Sequence, residues 1–227
     1  MSDVGDGSTA AGSYTASQRT LQEQQGSVPL ADTLDATIIV TELDEAASTF
    51  IGSRDFFFLS TVTADGEPTV SHKGGGTGFV RVVDAQTLEF PSYDGNGMYL
   101  SMGNIADTGK IGMLFIDFVT PHRIRIQATA SLSDTADDLA RFPGADYVVC
   151  AQIDRAFINC GRYIHKHTRA SESPYVPDEA GDAPVPAWKR IDLMQPVLDA
   201  ETQAEVEATG GTIDVEEYAR RLEAGEP

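Results

Sequence analysis

At 227 residues the chain is long enough for one ordinary domain with a full core and tails. Its 35 acidic residues outnumber 16 basic ones, and a net charge of −19 argues against binding a nucleic-acid backbone or an anionic membrane surface. The 41% hydrophobic fraction is close to the globular norm, with no run that reads as a membrane span or secretory leader, so a soluble, cytoplasmic protein is expected.

Residues 1–14 are mostly Gly, Ser, Asp and Ala and are expected to be a disordered tail. A short helix is predicted from Ser17 to Gln25, stopped by Gly26. A second helix is predicted after Thr41 as N-cap, with Leu43, Ala47, Phe50 and Ile51 on one face and Gly52 at its end. Short β-branched and aromatic runs then follow at close spacing: Phe56 to Thr63, Pro68 to Lys73, Phe79 to Val83, and Thr87 to Phe90. Gly, Asp and Asn clusters separate them, which is the pattern of an antiparallel barrel or sandwich.

Asn96 or Gly97 is expected to cap a helix over Met98 to Ala106, with Leu100 and Ile105 pointing inward. Ile111 to Phe118 is almost continuously apolar and reads as a central strand covered on both faces. Arg123 to Leu132 alternates cleanly, and a short helix near Thr135 to Arg141 leads to a strand from Tyr147 to Ile158. From Ser171 onward, prolines at 174, 177, 184, 186, 196 and 227 predict an extended segment wrapping the surface, with a terminal helix over Val215 to Ala224. The chain thus divides into a tail (1–14), an α+β domain dominated by β structure (15–170) and a C-terminal extension (171–227).

Three clusters can carry chemistry. In Ser71-His72-Lys73-Gly74-Gly75-Gly76, a hydroxyl and an ammonium two apart on a strand share a face, and with glycine amides they can hold a phosphate. The plainer reading is a strand end with a flexible loop. Ser92 to Met98 reads as a turn leading into a helix N-terminus, a natural anion site or an ordinary capped turn. Asn159 to His167 gathers Arg162, His165, Lys166 and His167, which against the acidic background suggests an anionic ligand. No metal site is expected: His165 and His167 lack a partner with ligand spacing, and Cys150 and Cys160 form no CxxC pair.

At these residues the sequence resembles the pyridoxamine 5′-phosphate oxidase-like flavoproteins. The matching pieces run from Phe57-Phe58-Leu59-Ser60-Thr61-Val62 and Asp65-Gly66-Glu67-Pro68 through Ser71 to Gly75 and Gly78 to Val82. They continue with Phe90, Tyr93 to Met98, Gly103-Asn104-Ile105, Gly112 to Phe118, Asn159 to His165, and Ala187-Trp188-Lys189. The resemblance implies an antiparallel six-stranded split β-barrel with peripheral helices and an extended C-terminal tail. It also implies a homodimer with FMN at the interface, acting on a small-molecule substrate as an oxidoreductase.

By position, Ser71 and Lys73 would meet the flavin phosphate or ring edge. Ser92, Asn96, Gly97 and Met98 would lie along the ribityl chain and phosphate, with Ser101 and Asn104 near them. Arg162, Tyr163 and His165 would close the site, with Arg162 and His165 as candidate catalytic groups. Two departures argue against pyridoxamine phosphate itself as substrate. The basic pair that the vitamin B6 oxidases place here reads Asn96-Gly97-Met98-Tyr99, and their substrate-binding Arg and His have no match in the tail. The alternatives on the same barrel are a non-catalytic flavin or haem store and a deazaflavin-dependent reductase.

Overall fold

A computed structural model describes residues 14–225. The expected disordered tail lies outside the described residues except for Tyr14, whose hydroxyl donates to the Ala31 carbonyl at 2.8 Å.

Helix α1 (Ala16–Gln24) starts at a capping box: Thr15 Oγ1 accepts from the Gln18 amide, and Gln18 Oε1 accepts from the Thr15 amide. Helix α2 (Val28–Ile38) follows directly, which the sequence reading did not anticipate. Pro29 looks like a breaker, but in a first helical turn its missing N–H costs nothing. The chain then enters the two-residue strand β1 (Ile39–Val40).

Helix α3 (Glu45–Gly52) begins later than expected. Leu43 is buried and its amide donates to the Ala85 carbonyl at 2.7 Å, so the chain is still extended there. The cap is therefore Asp44, whose carboxylate accepts from the Ala47 amide at 2.7 Å, and not Thr41.

The strands are β2 (Phe56–Val62), β3 (Pro68–Gly74), β4 (Arg81–Asp84), β5 (Thr87–Tyr93), β6 (Lys110–Asp117), β7 (His122–Ser133) and β8 (Ala145–Asn159). They form one antiparallel sheet in the order β3-β2-β6-β7-β8-β5-β4, with β1 also pairing to β8. This is the split-barrel arrangement with eight strands instead of six. β1 and β4 are the shortest of the eight strands. β8 is bordered by β7 on one side and by β5 and then β1 on the other.

One face of the sheet makes the core. Phe57, buried on β2, sits 5.0 Å from the Phe90 ring and 5.1 Å from Phe115, centroid to centroid. Ala47 and Ile51 of α3, and Met102 and Ile105 of helix α4 (Leu100–Thr108), join the same cluster. β6 is central as expected, yet only one of its faces is fully buried: Ile111, Met113 and Phe115 alternate with half-buried neighbours. The sequence reading placed Leu100 inside; it is 60% exposed, because the helix starts two residues later than expected.

The helix α5 (Ala136–Leu139) is only four residues long. The C-terminal extension begins without regular structure, then forms two 3-10 turns (Ala187–Arg190 and Asp192–Val197), α6 (Ala200–Ala208) and α7 (Val215–Ala224). The terminal helix α7 spans the predicted range, while α6 was not foreseen although Asp199 caps it in the ordinary way. Gly144 and Gly181 touch where the extension crosses the loop before β8; a Cβ on Gly144 would lie 2.7 Å from the Gly181 carbonyl oxygen.

Candidate functional site

The strand pair β2–β3 sets the site. Lys73 lies opposite Phe57, Ser71 opposite Leu59, and Thr69 opposite Thr61. Directly opposed residues share a face, and Phe57, Leu59 and Thr61 are buried. Thr69, Ser71 and Lys73 therefore rise from the core side of the edge strand, at the two-residue spacing that β structure imposes.

They enter a cavity of about 230 Å³ whose far wall is the end of β5, the Gly95–Gly97 turn and the first turn of α4. Ser71, Lys73, Ser92, Asn96, Gly97 and Ser101 all line it. The hydroxyl oxygens of Ser71 and Ser101 are 3.2 Å apart, tying the edge strand to the helix. Ser92 and Ser101 are both buried, a placement that polar side chains take when they have a partner to meet.

The turn is built by two residues in the left-handed region, Gly97 at φ +72 and Tyr99 at φ +47. Asn96 Oδ1 accepts from the Met98 amide at 3.1 Å, so Asn96 closes an Asx turn instead of capping α4. The residue at the cap position is Tyr99, and no side chain caps the helix. Leu100, Ser101 and Met102, its first turn, line the cavity, so the unpaired amides and the positive end of the helix dipole face the same space. Tyr99 itself donates from its hydroxyl to Asp146 Oδ2 at 3.2 Å, which raises the phenol's pKa by charge repulsion from that carboxylate.

The electrostatics run against the rest of the chain. Lys73 is half-buried, and desolvation pushes its pKa below the usual lysine value. Among the described residues it has no hydrogen-bond or ion-pair partner. No carboxylate lines the cavity. The nearest in sequence, Asp94, is paired with the Lys189 ammonium from the C-terminal extension. A protein of net charge −19 thus holds one small volume where cationic and N–H groups face inward without opposing charge. That donor set suits a phosphate monoester.

Two expected members lie elsewhere. Met98 is 60% exposed and does not line the cavity. Asn104 points to β2, where its amide donates to Thr61 Oγ1 at 3.0 Å. The candidate catalytic groups Arg162 and His165, with Tyr163, are exposed and lie outside the lining. They follow β8 close to the β6–β7 hairpin, where Gly161 packs on Pro121. The sequence reading missed Thr69, Tyr99 and Met102 as lining residues, and also the Lys189–Asp94 pair.

Among the described residues no three His, Cys, Asp or Glu side chains converge as a metal site would require, and no helix is long and apolar enough to cross a membrane.

A family model for pyridoxamine 5′-phosphate oxidase matches residues 43–156, a span that begins at the buried Leu43 and ends within β8. No curated protein matches the chain in sequence. Among solved structures, HupZ of Group A Streptococcus is 19% identical, with 56% of this chain and 99% of that one covered and a TM-score of 0.43. An FMN-binding protein of Syntrophomonas wolfei subsp. wolfei is 13% identical, covering 62% and 95%, at a TM-score of 0.40. HutZ, a heme storage protein of Vibrio cholerae, is 18% identical, covering 52% and 94%, at a TM-score of 0.38.

Proposed function

The chain belongs to the pyridoxamine 5′-phosphate oxidase family, and from that premise we propose that it binds FMN and serves as a flavin-dependent oxidoreductase for a small molecule. The observation that carries this reading is Lys73: a half-buried ammonium, unpaired among the described residues, facing an uncapped helix N-terminus across a cavity without carboxylates.

In this reading Lys73 offsets the charge of the phosphate or of the ring edge, and Ser71, Ser92 and Ser101 supply hydroxyl partners. The Asn96–Gly97 turn and the first amides of α4 donate from the backbone. Lys189 neutralises Asp94 and so keeps a carboxylate from repelling the anion. Bound FMN supplies the redox chemistry, and the protein supplies placement and field.

The site is assigned to a homodimer. A cavity of about 230 Å³ is smaller than the roughly 300–1,000 Å³ that encloses a small ligand. Its surroundings leave Val70, Met98 and Leu100 at least 60% exposed, an apolar rim suited to a second copy. Arg162 and His165, exposed on their own chain, are assigned to close the site of that second copy.

The test is an absorption spectrum of the purified protein, with mass identification of any released chromophore and titration with FMN. Flavin bands, or tight uptake of FMN that Lys73→Ala weakens, support the reading. A colourless protein that takes up no FMN sinks it, and a haem or deazaflavin spectrum would replace the cofactor. Reduction by a nicotinamide donor and reoxidation by oxygen would separate an enzyme from a store.

A further inference from the structure

A second cleft, about 330 Å³, opens on the other side of Tyr93 and Gly95, which line both cavities. Its outer wall is the C-terminal extension. Three aromatic side chains, Tyr93, Tyr175 and Trp188, line it, with prolines of the extension between them. Flat, rigid walls of this kind favour a flat ligand, because ring contact adds to area burial at little entropic cost.

The wall is fixed in place. Gln195 Nε2 donates to the Lys189 carbonyl at 2.8 Å and to the Ile191 carbonyl at 3.0 Å. Arg190 Nε donates to the Gly211 carbonyl at 2.9 Å, and Ile191 forms a parallel bridge with Ile213. Ala187, Ile191 and Val206 are buried beneath it. The Lys189 ammonium stands 5.7 Å from the Trp188 ring centroid while paired to Asp94. Lys189 thus ties the extension's first 3-10 turn to the segment that also borders the first cavity, while the Arg190 end of the turn is held within the extension itself.

The charge of the cleft sets its preference. Lys189 and Asp94 cancel, which leaves Glu205, a carboxylate without an ion-pair partner among the described residues. The local balance is negative, the opposite of the neighbouring cavity.

We propose that this cleft is a second binding site, for a flat aromatic ring that is neutral or singly cationic, packed against Trp188 beside the phosphate-binding cavity. Its role as the place where the redox partner sits rests on the flavin reading; its binding preference does not.

Trp188 is the only tryptophan of the chain, so its fluorescence reports this cleft alone. The probes are three pyridines of one size and different charge: 1-methylnicotinamide, nicotinamide and nicotinate. Each is titrated into the full-length protein as purified. The proposal expects saturable quenching by the first two, with 1-methylnicotinamide binding about fivefold to tenfold more tightly than nicotinate, the size of one or two exposed charge contacts. Glu205→Gln should shrink that preference to about twofold or less. Linear, unsaturating quenching by all three probes, or nicotinate binding as tightly as the cation, overturns the proposal. FMN uptake is measured on the same preparations. A saturable Trp188 response in protein that takes up no FMN would keep this site and remove the flavin reading; FMN uptake without a saturable response would do the reverse.

Discussion

Ser71 Oγ and Ser101 Oγ, 3.2 Å apart, make the one side-chain hydrogen bond recorded between the edge strand β3 and helix α4 among the described residues. Either hydroxyl can donate, and whichever one accepts keeps its own proton free to donate to an anion without breaking the pair. Ser71→Ala and Ser101→Ala should each cost about 0.5–1.5 kcal/mol of stability. The double variant should cost less than their sum, since the second change removes a bond already lost. Urea denaturation of the four proteins checks this, and strict additivity would mean the bond contributes nothing.

Lys73 makes stability depend on pH in a defined direction. Burial lowers its folded pKa, so the folded protein gives up this proton at a lower pH than the unfolded chain does. Between the two values the unfolded state binds more protons, and stability rises with pH. Its contribution is complete above the unfolded value of about 10.4 and is lost as pH falls through the folded value. Lys73→Met should therefore be more stable than the parent at pH 7, with the gap closing toward alkaline pH. The same variant should weaken FMN binding roughly tenfold to a hundredfold, the effect of losing a hydrogen bond to a charged group. Denaturation at several pH values, together with FMN titration, reads both effects.

Gly144 cannot accept a side chain without moving the C-terminal extension. It sits at φ +80, and an added Cβ would press on the Gly181 carbonyl. Gly144→Ala should cost at least about 1 kcal/mol from backbone strain alone. It should also speed proteolytic cleavage between residues 171 and 186, a region without regular structure. Equal cleavage rates would show that the glycine contact does not hold the extension down.

Phe57 is fully buried and touches three other phenylalanine rings, those of Phe79, Phe90 and Phe115. Phe57→Ala should cost about 3–5 kcal/mol, and Phe57→Leu distinctly less, because leucine refills part of the cavity. Because Phe57 is the direct cross-strand neighbour of Lys73, the alanine variant should also loosen FMN binding. Calorimetry and titration of the two variants separate these effects.

The strands were legible because alternation and β-branched runs are imposed locally, and the shared face of Ser71 and Lys73 followed from the two-residue period. The misses have identifiable causes. β5 continues through Pro91 to Tyr93, where the sequence suggested a stop at Phe90. Pro91 is tolerated because β4 pairs only as far as Glu89, leaving that stretch of β5 bonded to β8 on one side alone. α4 begins after a tyrosine in left-handed backbone, a choice that cap preferences do not favour. Lys189 meets Asp94 across 95 positions, and no local pattern signals such a contact. Arg162 and His165 are a different case: they lie outside the cavity lining of their own chain, and the role proposed for them is at the site of a second copy.

The position of β8 has a consequence for how the chain reaches its native state. Ile39 pairs with Phe157, and Thr87 with Gln152, so strands from early and middle parts of the chain both wait for the same late segment. Contacts of such long sequence separation slow folding, because the closure entropy of each loop is lost before its pairing is gained. During synthesis the apolar edges of β1 and β5 stay without their partner until residues 145–159 emerge. Destabilising changes in β8 should therefore slow folding and promote aggregation of the nascent chain, even where they lie far from the cavity.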